Sequence, residues 1–353
     1  MERIAWFVCG ILSLSACTPR SLSFSSVPPS CVGLEPTCGA DEHDDCCNSP
    51  GVAGGSLERG CDPQDTQNIA CEATHAHPPK ASFPATVSNF RLDKYEISVG
   101  RFRNFVAAGQ GTAAQPPPPH AGARTLNGQP DQAGWDPAWD QYLAKDTDGL
   151  RAALQCEPTH QTWTDAAGPN ENLPINCINW YEAMAFCIWD GGFLPTEAQW
   201  QYAAVGGSEG RRYPWSHPPS SLVVDCAHAN HRLEPPGDSC VSGGGVNHVG
   251  SESPLGDGSW GQSDLAGNLA EWTLDWFNDY TAECTDCANL ARPIAAEDRV
   301  VRGGDFADSV GTYDFYYHPN QAPTLRGAYR NLGAPTVHAE NLGARCARRL
   351  TDR

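Results

Sequence analysis

Residues 299–308 read "RVVRGGDFAD". Val300 and Val301 suit a buried strand, and the two glycines after Arg302 suit a tight turn. A group presented on such a turn sits at the lip of a pocket. Here the groups are two carboxylates, Asp305 and Asp308. A second stretch, "DLAGNLAEW" over 264–272, places Asp264 and Glu271 on either side of a glycine-containing turn. Carboxylates mixed with free turn carbonyls suit calcium, a hard cation that takes about six to eight oxygens in a flexible shell. A third group is "HANH" (228–231), which with Cys226 has the residue types of a zinc cluster. The plainer reading pairs Cys226 with Cys240 as a disulfide.

The charge balance narrows the partners. There are 23 Lys+Arg against 42 Asp+Glu, a net charge of −19. Nucleic acid is excluded as a partner, because phosphate neutralisation needs a surplus of Lys and Arg. An acidic chain is compatible with calcium. With 29 prolines and 35 glycines, much turn and irregular structure is expected.

The elements that must position these residues are few. "FRLDKYEISVGRFRNFVAA" (90–108) reads as a strand feeding a helix capped by Ser98, with Phe102, Phe105 and Val106 on its apolar face. "INCINWYEAMAFCIWDGG" (175–192) reads as a second helix, with Asn179 and Glu182 at capping-box spacing and Gly191-Gly192 as its stop. "LPTEAQWQYAAVGG" (194–207) is a third, opened by Thr196 and Gln199. Residues 109–150 are rich in Gly, Pro and Ala and read as a long surface excursion.

The first residues read as a targeting signal. "IAWFVCGILSL" (4–14) is an apolar run too short to span a bilayer, and "LSAC" (14–17) resembles a bacterial lipobox. Residues 1–16 are then a lipoprotein signal peptide, and Cys17 carries the lipid. The chain is expected to be exported and held in the cell envelope, at the outer membrane, touching the membrane through that anchor alone. Residues 17–30 are a Ser/Pro tether. Of the 16 cysteines, removing Cys9 and lipidating Cys17 leaves 14, an even number for an oxidising compartment. Six of them, Cys31, Cys38, Cys46, Cys47, Cys61 and Cys71, crowd a Cys-rich segment and linker over 31–80. They allow 15 connectivities, and spacing does not choose among them. The large domain is placed at 81–353.

Several stretches together resemble one family, the formylglycine-generating, or sulfatase-modifying factor, domain. They are "LDKYEISVGRFRNF", "PINCINWYEAMAFCIWDGGFLPTEAQWQYAAVGG", "RRYPWS", "SDLAGNLAEWTLDWF", "RVVRGGDF" and "NLGARCA", in the family's order across residues 90–347. The resemblance implies an α+β fold, a C-type lectin-like variant with much irregular structure, beside the disulfide-rich N-terminal segment. It assigns structural calcium to the side chains of Asp264 and Glu271 and the carbonyls of Gly267 and Leu269. Asp264 departs from the family's usual asparagine. A second family calcium position maps onto Asn230 and the His231 carbonyl, but residues 241–250 hold no carboxylate to complete it. The resemblance also pairs Cys187 with Cys346. Cys156–Cys177, Cys226–Cys240 and Cys284–Cys287 are the simplest remaining set. "CTDC" (284–287) has a redox CxxC as its competing reading, but it lacks the strand–turn–helix setting such a motif needs.

In the active enzymes of this family two cysteines after the glycine turn bind copper(I) and use oxygen to convert a substrate cysteine to formylglycine. Carried over position by position, those cysteines become Asp308 and Tyr313, and no cysteine lies between Cys287 and Cys346. Copper(I) selects soft thiolates, so copper is not expected here. Two functions follow. One is a non-catalytic, calcium-stabilised module that binds a peptide, protein or glycan, with "DFYYHPNQ" (314–321) as an aromatic recognition surface. The other is an enzyme with altered oxidative or acid–base chemistry on Asp305, Asp308, Tyr313 and Arg330. They are separated by whether Asp305, Asp308 and Arg330 converge in one concavity.

Overall fold

Four side-chain caps set the helical frame. The structure is a computed structural model, and it describes residues 27–60, 83–233, 238–280, 283–293, 297–308 and 323–350. Helix α1 (Val99–Ala107) starts at Ser98, whose hydroxyl accepts from the Arg101 amide. A short helix α2 (Thr147–Ala153) follows, capped by Asp146. Helix α3 (Trp180–Trp189) opens with a reciprocal box: Asn179 Oδ1 accepts from the Glu182 amide and Glu182 Oε2 from the Asn179 amide, both at 2.9 Å. Thr196 and Gln199 repeat the device at helix α4 (Glu197–Ala204). Such caps satisfy orphan amides at each helix start, so local sequence alone sets these boundaries.

The strands are short. Strand β1 (Gly51–Val52), β4 (Phe90–Leu92) and β12 (Ala347–Arg349) form one sheet in the order β1-β4-β12. Strand β2 (Gly55–Glu58), β3 (Pro84–Val87) and β8 (Cys284–Thr285) form another, and β5 (Arg124–Leu126) with β6 (Gln129–Gln132) makes a hairpin. The largest sheet takes β7 (Ala270–Trp276), β9 (Arg299–Arg302), β10 (Asn331–Gly333) and β11 (Leu342–Gly343), in the order β10-β9-β7-β11. Strand β7 is buried at every position, so its sequence lacks the alternation of a one-sided strand. The main core lies between this sheet and helices α1 and α3, around Trp180, Phe186, Trp272 and Val301.

Two expectations change. The boundary drawn at residue 81 falls across two sheets, since β1 pairs with β4 and β2 with β3. The preceding segment is bridged by Cys31–Cys47 and Cys38–Cys46 and docks on the helical core. There the Ser30 amide donates to Asp190 Oδ1 at 2.9 Å, and Arg101 Nε donates to Ser30 Oγ at 3.0 Å. Cys61 and Cys71 lie outside the described residues. The 109–150 excursion is a cover over the core, with Leu126, Trp135 and Leu150 buried in the main cluster. Its apolar residues are too widely spaced to show a period, and only folding brings them to one surface.

The chain ends are tied by long-range bonds. Cys187 on α3 is joined to Cys346 beside β12, 159 residues away. Around it Arg101 and Arg348 each pair with both Asp93 and Asp190 at 2.6–3.0 Å for the closest contacts, in a buried four-charge network. The structure also joins Cys156 to Cys177, Cys226 to Cys240 and Cys284 to Cys287.

Candidate functional site

Strand β9 delivers the glycine turn. Gly303 and Gly304 both have positive φ, and a Cβ on Gly304 would lie 2.9 Å from the Thr324 carbonyl and 3.0 Å from Asp308 Oδ2. The turn is locked by its own carboxylates. Asp308 Oδ2 accepts from the Asp305 amide at 2.9 Å, and Asp305 Oδ1 accepts from the Ala307 amide at 2.8 Å. Asn341 Nδ2 donates to Asp305 Oδ2 at 2.7 Å. The Arg232 amide donates to the Asp308 carbonyl at 2.9 Å, tying the turn to the 226–233 loop. Burial pushes the Asp308 carboxyl up to about 7, and the Asp305 charge adds to it. Asp305 is raised by burial too.

Arg330 does not join this pair. Its guanidinium lies 2.8 Å from Glu197 and donates to the Asn278 carbonyl at 2.6 Å. With Glu197, Asp275 and Tyr280 it lines a separate cavity of about 230 Å³. Neither Asp305 nor Asp308 lines that cavity. The four-residue constellation drawn from sequence is therefore split, because Arg330 is consumed in compensating a buried glutamate that also faces Arg302 at 2.9 Å. Tyr313 and the 314–321 aromatic stretch lie outside the described residues.

The 264–271 loop is built around buried carboxylates. Glu271, the second residue of β7, is bound by Arg345 at 2.7 Å and accepts from Trp200 Nε1 at 2.9 Å. Asp264 Oδ2 accepts from the Gly250 amide at 2.7 Å, and its carbonyl accepts from Arg345. Gly267 has φ +79°, and a Cβ there would lie 2.4 Å from the Asn230 carbonyl, so the turn admits only glycine. Two acids that sequence reasoning missed complete the cluster. Glu96 receives the Leu269 amide at 2.9 Å and Asn268 Nδ2 at 2.7 Å. Glu252 accepts from Asn247 Nδ2 at 2.9 Å, while its Oε2 is buried with no hydrogen-bond partner among the described residues. Burial and then the nearby Glu252 push Asp264 up to about 8. Glu96 is raised by burial and by Asp264 and Glu271. Only the 94–97 "KYEI" run hints at Glu96: an acid between apolar residues that the fold buries.

Carboxylate and carbonyl oxygens are the donor types calcium takes, although among the described residues no three carboxylates bring their oxygens within 4.8 Å of one another. Glu96, Asp264 and Glu271 surround Arg345 and Glu252 lies beside Asp264, all four acids buried, and buried like charges need compensation. Arg345 Nε reaches both oxygens of Glu271, its Nη2 adds a contact to Oε1 and Trp200 Nε1 one to Oε2, so the carboxylate's roughly four acceptor sites are largely taken, and the open buried oxygen among the described residues is Glu252 Oε2. The second position fits less well. Asn230 Nδ2 donates to the Gly245 carbonyl and Asn268 Oδ1, and the His231 carbonyl is already taken by the Cys240 amide at 3.1 Å. Residues 241–250, from which a carboxylate would have to come, hold none.

The class of protein defined by this arrangement is a disulfide-braced α+β domain of low helical content with a carboxylate-locked glycine turn. The family model described as "Sulfatase-modifying factor enzyme 1-like domain" matches residues 37–350, and the chain belongs to that family. It is 27% identical to a formylglycine-generating enzyme of Mus musculus over 273 residues, covering 74% of this chain and 66% of that protein. A Bos taurus formylglycine-generating enzyme is 30% identical over 195 residues, 52% of this chain and 48% of its own length. The chain thus spans less than two thirds of these enzymes. It is also 28% identical to an inactive C-alpha-formylglycine-generating enzyme 2 of Bos taurus over 276 residues, 74% of this chain and 78% of that protein. Among solved structures, PvdO from Pseudomonas aeruginosa shares the fold, with a TM-score of 0.51 and 17% identity over 85% of this chain and 93% of its own.

Proposed function

We propose that this chain is a non-catalytic, calcium-braced member of the family that recognises a peptide, protein or glycan outside the cytoplasm. The observation that carries the reading is the state of the glycine turn. The position where the resemblance requires a copper(I) thiol holds Asp308, hydrogen-bonded back to its own turn. Every described cysteine is already in a disulfide. Copper(I) needs soft ligands, and a buried carboxyl half-protonated near neutrality is a poor one. The similarity to an inactive relative points the same way.

In this reading Asp264 and Glu271, with the carbonyls of Gly267 and Leu269, hold a calcium ion that neutralises the buried acids and fixes the loop leading into β7. Its contribution is structural, since it would bind the folded loop and not the unfolded chain. The lipid on Cys17 would tether the domain to the membrane. Cys17 lies outside the described residues, and no helix among those described is long and apolar enough to cross a membrane.

The test is an oxidation assay. Purified protein is incubated with copper, oxygen and a peptide carrying Cys-x-Pro-x-Arg, and the peptide is weighed by mass spectrometry. The expected outcome is no conversion of its cysteine to the aldehyde. Conversion by the wild-type chain, absent from a mock purification, would overturn the reading. One observation favours an acid–base alternative: Asp308 titrates near neutrality beside a second carboxyl. An activity lost on Asp308→Asn with unchanged stability would bring that alternative forward.

A further inference from the structure

The bridge Cys226–Cys240 is closed beside a histidine that is in no way needed to hold it. Cys226 Sγ, Cys240 Sγ and an imidazole nitrogen of His231 lie within 4.8 Å of one another. His231 is wholly buried. Its Nδ1 lies 2.8 Å from the Arg232 carbonyl. A carbonyl can only accept, so that contact places the proton on Nδ1 and leaves the lone pair on Nε2. Nε2 is buried and has no hydrogen-bond partner among the described residues. An imidazole with Nδ1–H on a backbone carbonyl and a bare Nε2 is the arrangement that metal-ligating histidines adopt. Burial also lowers the proton affinity of this ring, which keeps it neutral as a ligand must be.

We propose that Cys226, Cys240 and His231 form a redox-gated zinc site: shut while the disulfide stands, and open to a zinc(II) ion once an external thiol reductant cleaves it. The chemistry balances simply. A reductant thiolate attacks one sulfur, and a second reductant thiol resolves the mixed disulfide. The bridge thereby gains two electrons and two protons while the reductant becomes a disulfide. Zinc then displaces the two thiol protons and is held by two thiolates and the neutral imidazole. The ion's charge is balanced by the two sulfurs, and the fourth tetrahedral position is left for water or a ligand atom.

The surroundings leave the gate accessible. Cys226 reaches solvent, whereas both sulfurs of Cys187–Cys346 belong to residues that are fully buried. A mild reductant therefore reaches the 226–240 bridge before Cys187–Cys346, as it does the other bridges with a partly exposed cysteine (Cys31–Cys47, Cys156–Cys177 and Cys284–Cys287), because exchange requires access to a sulfur. The site is also wired to the glycine turn. The residue after His231 donates its amide to the Asp308 carbonyl, and Arg232 pairs in a bridge with Ser239, next to Cys240. Metal held at 226–240 would thus stiffen the loop that props the glycine turn.

The full chain is treated with a phosphine reductant under conditions that leave its circular dichroism unchanged. Alkylation and peptide mass then identify which cysteines opened. Zinc(II) is titrated against a chromophoric chelator, and cobalt(II) is used as a spectroscopic stand-in. The expected result is one zinc per reduced chain, none at this site in the oxidised chain, and thiolate-to-cobalt charge-transfer bands with tetrahedral d–d bands. His231→Gln, which leaves the disulfide in place, should weaken zinc binding at least about tenfold. Cys226→Ala with Cys240→Ala should abolish it. If that double variant does not fold, the His231→Gln comparison decides alone. Zinc uptake that is indifferent to His231, or a folded chain whose 226–240 bridge resists the reductant, would overturn the proposal.

Discussion

Replacing Arg345 by methionine tests whether the acidic loop is held by charge compensation. Arg345 has no solvent exposure and binds Glu271 through its Nε at 2.8 and 2.9 Å while donating to the carbonyls of Lys94 and Asp264. Methionine fills a similar volume, so the cavity term is small. What remains is Glu271 buried beside Glu96, Asp264 and Glu252 with its guanidinium gone. Breaking one side of a buried pair costs about 3–5 kcal/mol. At about 2.1 cal/mol/K per residue over roughly 300 residues, the entropy at the midpoint is about 0.6 kcal/mol/K, and the expected fall in Tm is roughly 5–8 °C. The loss should carry a pH signature. Burial already raises Glu96 and Asp264, and Arg345 is the charge that holds both down. Without it the folded state binds more protons than the unfolded one above the ordinary carboxyl range of about 4, so the variant loses further stability, relative to wild type, as pH rises. Scanning calorimetry at pH 5 and pH 8 gives both quantities. A variant within about 1 kcal/mol of wild type at both pH values would refute charge compensation as what holds this loop.

Three further outcomes are expected. Asp308 is held up to about 7 in the fold against an ordinary value of about 3.9, so wild-type stability should decline as pH climbs through that window. Asp308→Asn should flatten the decline in chemical denaturation, and an unchanged slope would remove Asp308 as its source. Chelation of calcium should lower Tm, by the equivalent of about 2.7 kcal/mol if the ion had been present at a hundredfold its Kd. Asp264→Ala should make the chain insensitive to chelator, and a wild-type transition unmoved by either treatment would exclude a calcium ion at the loop. Cys17→Ala should shift the protein from the membrane fraction to the soluble one or leave the precursor uncleaved. Unaltered partitioning on fractionation would count against the lipid anchor.

The sequence was enough wherever information is local. Ser98, Asn179–Glu182 and Thr196–Gln199 announce their helices because a cap is a contact among residues three apart. The order of motifs from 90 to 347 was enough for the family, and Gly267 and Gly304 mark turns that a Cβ would block. The tertiary structure decided what depends on distance. Whether Arg330 faces Asp305 or Glu197 is a matter of which side of β9 it reaches, and no spacing encodes that. Glu96 joins the acidic loop across more than 170 residues, where burial turns an unremarkable acid between β4 and α1 into a loop anchor. The strands β1 and β2 read as part of a cysteine-rich appendage because two- to four-residue strands carry no period, yet their partners lie beyond residue 83. His231 gained meaning only in three dimensions. In sequence it is one of two histidines in a loop, and in the fold its ring is buried with one nitrogen within 4.8 Å of two sulfurs and an Nε2 that has no hydrogen-bond partner among the described residues.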